Sequence, residues 1–115
     1  MRFPSTNDFL EEFGIEPVEI DTSSALFRYV VKSKSSELEI DISFSAVMYS
    51  FEVILRLAAK EVATVSSEHV RSIEFMRDST GAGIRVFFDF NESISEAQVL
   101  IEPELSFRWW VLKNA

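Results

Sequence analysis

A chain of 115 residues with 47% hydrophobic content and eleven phenylalanines carries enough apolar material for one real core, so it is not a disordered segment, and its length predicts a single domain over 1–115. Nineteen acids against eleven bases give a net charge of −8, the wrong sign for holding nucleic-acid phosphates or lying on an anionic lipid surface. The absence of cysteine removes any disulfide framework, thiolate nucleophile or thiolate metal site.

In chain order, Ser5 or Thr6 can cap a short helix running through Phe13, with Asp8, Glu11 and Glu12 in its early turns and Gly14 just past its end. Phe9, Leu10 and Phe13 share one face of that helix, so it should dock on a core. From there the period changes. Ala25–Lys32 reads as a strand, and Ser33-Lys34-Ser35-Ser36 as the turn into a second. Leu38, Ile40, Ile42 and Phe44 alternate with Glu37, Glu39, Asp41 and Ser43, the pattern of a half-buried strand. Phe51, Val53, Leu55 and Leu57 alternate again. Residues 55–65 fit both a helix and a hairpin turning at Ala58-Ala59-Lys60-Glu61; the alternation running into the segment favours the hairpin.

Ser72–Met76 is the next strand, followed by a turn over Asp78-Ser79-Thr80-Gly81-Ala82-Gly83 whose glycines would supply positive φ. Ile84–Phe90 alternates, residues 91–96 read as a polar loop or one helical turn, Gln98–Glu102 is a strand stopped by Pro103, and Ser106–Leu112 is the last strand. The expected fold is therefore mainly β (α+β): a short N-terminal helix packed on an antiparallel, strongly bent sheet of about seven strands, a sandwich or half-barrel.

No enzyme signature stands out, and no catalytic residue, cofactor or metal site is assigned. His69 is the one histidine, and neighbouring Ser66 and Ser67 lie too close along the chain for the usual triad, so a surface histidine is expected. One histidine without cysteine cannot fill a tetrahedral zinc site. Glu37, Glu39 and Asp41 line one strand face, too spread for calcium, and read as a solvated sheet face; Asp89-Phe90-Asn91-Glu92 lacks the calcium-loop pattern. Gly81-Ala82-Gly83 completes neither a dinucleotide turn nor a P-loop. No apolar leader opens the chain, and Ala46–Ala59 is broken by Ser50, Glu52 and Arg56, so a cytoplasmic location without a membrane span is expected.

The charge distribution is more informative. Between Phe3 and Phe27 there are six acids and no base; between Val86 and Phe107 there are Asp89, Glu92, Glu96, Glu102 and Glu104 and again no base. In the last strand, Trp109 and Trp110 must point to opposite faces, so one lies under the helix or near the surface. Phe87 and Tyr29, on the nominal outer faces of their strands, raise the same alternative: a two-sided core, or an apolar patch rimmed by acids.

With its capped helix (Ser5 to Phe13), its run of alternating strands from Ala25 to Leu112 and its acid-only stretches, the chain resembles the small cytoplasmic immunity proteins of bacterial contact-dependent growth inhibition and other polymorphic toxin systems. The resemblance is one of size, charge and architecture across the whole chain. It implies a monomer or weak dimer, not an enzyme, that neutralises a cognate toxin domain with a cationic surface, often a nuclease. Asp89, Glu92, Glu96, Glu102 and Glu104 would then steer association and Trp110 would anchor it. Three other functions fit an acidic domain of this size: a secretion chaperone, a nucleic-acid mimic, and a small-ligand-binding half-barrel with an apolar pocket.

Overall fold

Ser5 starts the helix as its sequence predicts. Its hydroxyl accepts from the Asp8 N–H (3.1 Å) while the Asp8 carboxylate accepts from the Ser5 N–H (2.9 Å), a reciprocal capping box at the start of α1 (Thr6–Phe13). Gly14 ends the helix in the left-handed region, its N–H donating to the Leu10 carbonyl. The computed structural model, which describes residues 3–90 and 93–113, then runs through β1 (Glu19–Asp21), β2 (Leu26–Lys32), β3 (Leu38–Ser45), β4 (Ser50–Leu57), β5 (Lys60–Ser67), β6 (Val70–Asp78), β7 (Gly81–Phe90), β8 (Ser93–Glu102) and β9 (Ser106–Lys113).

The mainly β expectation holds, with nine strands among the described residues where about seven were expected, and the strands form two sheets, the sandwich alternative. Strands β1 to β5 form a five-stranded antiparallel meander and β6 to β9 a four-stranded one. The extra strand β1 has three exposed residues and no alternation to betray it. The two sheets contribute to one core: Ile40, Ile42, Phe44, Phe51 and Val53 from the first, and Ile73, Ile84, Val86, Phe88, Ala97 and Val99 from the second. Phe9 is the helix's buried anchor, stacked 4.3 Å from the Tyr29 ring and meeting Phe75 of the second sheet edge-on at 5.1 Å. Tyr29 therefore points inward, and burial pushes its phenol up to about 12.

Residues 55–65 form the hairpin. Leu57 pairs with Lys60 across a two-residue turn in which Ala58 and Ala59 both adopt left-handed φ, +52° and +66°. That is the twist-matched turn of a tight hairpin, made here by residues that resist it.

Two local readings change. Residues 93–96 belong to β8 and are not a loop or helical turn. Their serines mimic loop composition, but Ser95 faces inward, fully buried, donating to the Trp110 carbonyl (3.1 Å) and accepting from the Trp109 indole N–H. A small hydrogen-bonded residue there leaves room for Trp109, which stacks on Phe88 at 4.6 Å. The turn after β6 is also shorter than expected. Asp78 accepts from the Thr80 N–H (2.8 Å) and closes it over Ser79 and Thr80, so both glycines lie in β7. Gly81 has the expected positive φ; Gly83 does not, and is required by close approach. A Cβ on Gly83 would overlap the Val99 carbonyl oxygen and lie 2.8 Å from Leu100 Cα.

Two stability outcomes follow from these backbones. Replacing Gly83 by Ala should force β7 from β8 and cost roughly 3 kcal/mol, read as a lower urea midpoint. Replacing Ala58-Ala59 by Asn-Gly should raise the midpoint by about 1 kcal/mol equivalent, because both new residues accept left-handed φ.

Candidate functional site

On the outer face of the five-stranded sheet, Asp41 is not the solvated carboxylate that strand alternation predicts. It is 3% exposed and clasped by two arginines. Arg28 Nε donates to Oδ1 (2.9 Å) and its Nη2 to Oδ2 (2.8 Å), while Arg56 Nη2 also donates to Oδ2 (2.8 Å). Arg56 donates in turn to Glu39 (2.8 Å), and Arg28 lies 3.5 Å from Glu19. Antiparallel register makes this possible: Arg28 and Arg56 sit diagonally across from Asp41 on β2 and β4. Burial by itself would raise the Asp41 carboxyl, but the hydrogen bonds and charges of Arg28 and Arg56 outweigh it and hold the group below its ordinary 3.8. The clasp ties four strands together and commits Arg28 and Arg56 to carboxylates of the protein itself.

On the four-stranded sheet, Trp109 points inward and Trp110 outward. The outer face carries Phe87, Glu96 and Trp110 in cross-strand register. Arginines cap its rings: Arg71 stands 5.5 Å and Arg85 5.9 Å from the Phe87 centroid, and Arg108 5.3 Å from that of Trp110. Glu96 is already engaged, 3.3 Å from Arg85 Nε and accepting from Gln98 (2.9 Å).

The residues expected to bind a partner fall in separate places. Glu96 and Trp110 share this outer face. Asp89 lies at one end of the molecule, exposed at the end of β7. Glu102 and Glu104 lie at the opposite end, where Glu102 is 3.5 Å from Arg77, and Glu104 accepts from Ser35 (2.5 Å) and Ser33 (3.4 Å). Glu92 lies outside the described residues. That opposite end also holds an open cleft of about 700 Å³, floored by Phe13, Ile15, Val31 and Leu105 and edged by Lys32 and Arg77. Arg77, which also lies 3.3 Å from Glu12, is occupied by protein carboxylates. The sequence reading passed over the β3–β4 turn, where Val47, Met48 and Tyr49 are all exposed. The available signal was a turn built of large apolar residues without Gly, Pro or Asn.

No family model matches the sequence, and no curated protein matches it. The fold does have a counterpart. The chain superposes with a TM-score of 0.88 and 25% identity on a chain of the contact-dependent growth inhibition toxin–immunity protein complex from Klebsiella pneumoniae 342, covering 96% of each chain. The resemblance drawn from the sequence thus holds in three dimensions over nearly the whole chain. No helix among the described residues is long and apolar enough to cross a membrane.

The Asp41 clasp makes a signed prediction. A carboxylate depressed in the folded state stabilises above its unfolded pKa, and the contribution is lost as pH falls through the folded value. Asp41→Asn should cost about 2 kcal/mol at neutral pH, and urea midpoints of variant and parent should converge as the pH is taken below about 4.

Proposed function

We propose that this protein is the immunity protein of a contact-dependent growth inhibition system, a non-enzymatic inhibitor that binds and neutralises a cognate toxin domain in the cytoplasm. The observation that carries the reading is the match across 96% of both chains to a component of a toxin–immunity complex. Charge supports the immunity component. At −8, with Arg28 and Arg56 committed to Asp41, the chain has the wrong sign to hold a nucleic-acid backbone and the right sign to fill a cleft that does. A nuclease toxin with a cationic active site is the partner this favours, and long-range attraction would speed the encounter. Acting as a monomer or weak dimer, it would occupy an interface of roughly 800 Å² on each partner.

The test pairs the purified protein with the toxin domain encoded immediately upstream of its gene. A complex of nanomolar affinity, with association slowing steeply between low and physiological salt, and restored growth of cells expressing that domain, is the expected result. Absence of a complex, or growth inhibition by this chain itself, overturns the reading.

A further inference from the structure

Meander topology sends alternate turns to opposite ends of the molecule. One end collects the β1–β2, β3–β4 and β5–β6 turns and the end of β7; the other collects the β2–β3, β4–β5, β6–β7 and β8–β9 turns. Lys32, Lys34, Lys60 and Arg77 stand at or beside the turns of the second end together with Glu37, Glu61, Asp78, Glu102 and Glu104, whereas Arg71 and the end of β9 at Lys113 stand at the first.

At the first end, Val47, Met48 and Tyr49 are 57%, 60% and 48% exposed, three consecutive large apolar side chains at the apex of a turn. Around them stand Glu52, Glu68 and Asp89. None of the three makes an ion pair or side-chain hydrogen bond among the described residues, whereas Glu12, Glu19, Glu39, Asp41, Glu96 and Glu102 all face arginines. A hollow of about 540 Å³ lies between Met48, Tyr49, Glu68, His69, Arg71 and Asp89, and a second, of about 530 Å³, is edged by Glu52, Glu68 and His69.

The tip is held rigidly. Buried Ser45 donates to the Ser24 carbonyl (2.6 Å) and accepts from the Met48 N–H (3.0 Å). The Val70 N–H donates to the Tyr49 carbonyl and the Asp89 N–H to that of His69, each at 3.0 Å, so the turns brace one another. Tyr49 and His69 are kept at positive φ, +52° and +67°, a costly conformation for side chains of their size. An exposed, pre-ordered apolar apex within a ring of unpaired carboxylates has the form of an interface anchor with a steering rim.

We infer that this tip is where the toxin domain docks, a cationic surface receiving Met48 and Tyr49 in an apolar recess while its bases meet Glu52, Glu68 and Asp89. The inference rests on the proposed function and makes it specific. Of the residues expected from sequence, it retains Asp89 and assigns Glu96, Glu102 and Glu104 to contacts within the protein.

The experiment measures binding of the same upstream toxin domain to four proteins: the parent, Val47→Asp/Met48→Asp, Glu52→Gln/Glu68→Gln/Asp89→Asn, and Glu102→Gln/Glu104→Gln, each checked for an unchanged melting transition. The apolar double variant should bind at least about 30-fold more weakly, chiefly through faster dissociation. The three-carboxylate variant should associate about tenfold more slowly at low salt and lose most of its salt dependence. The opposite-end variant should bind within about twofold of the parent. If the parent forms no complex, the proposed function falls and the docking surface with it. If the parent binds and the tip variants bind equally well, the docking surface alone is overturned. It is likewise overturned if the parent is a stable dimer in sedimentation and Val47→Asp/Met48→Asp makes it a monomer, since the tip would then be covered by a second copy.

Discussion

One aromatic side chain holds the two sheets to a common core at their helical side. Phe9 stacks on Tyr29 and Phe44 of the five-stranded sheet and meets Phe75 of the four-stranded sheet edge-on. The covalent link between the sheets is only Glu68 and His69, so the helix acts as a wedge that closes what would be an open flank. Its capping box and Gly14 terminus fix where the wedge begins and ends, and Phe13 adds a second edge-on contact to Phe75. Burial of Phe9 and its partners supplies the apolar contact that a two-residue connection cannot.

With the sheets fixed, electrostatics becomes a matter of position. Arginines are spent on the sheet faces: two on Asp41, and three over the rings of Phe87 and Trp110. These contacts cover the buried carboxylate and the outer ring faces with guanidinium groups. What they leave at the first end is Glu52, Glu68 and Asp89 without an ion pair among the described residues.

Much of this architecture was legible in the sequence because alternation is a local signal. Leu38 to Phe44, Phe51 to Leu57 and Ile84 to Phe90 announce their inward faces, and Ser5, Asp8 and Gly14 announce the helix. What stayed hidden depends on partners distant along the chain. Asp41 looks solvated until β2 and β4 bring Arg28 and Arg56 beside it from 13 and 15 residues away. Ser95 looks like loop until Trp109 requires a small hydroxyl opposite. Gly83 looks like turn until the Val99 backbone approaches it. Grouping acids by their place in sequence likewise joined Asp89 to Glu102 and Glu104, although β7 and β8 carry them to opposite ends.

The meander has a kinetic meaning as well. Every hydrogen-bonded pair of strands consists of neighbours in the chain, so each sheet can be assembled hairpin by hairpin without waiting for a remote segment. For a β-rich protein that is a short search, and the long-distance steps left are packing the two sheets into one core and seating the N-terminal helix across them. Under the proposed function, sequential pairing of this kind suits a chain that must fold before its toxin accumulates.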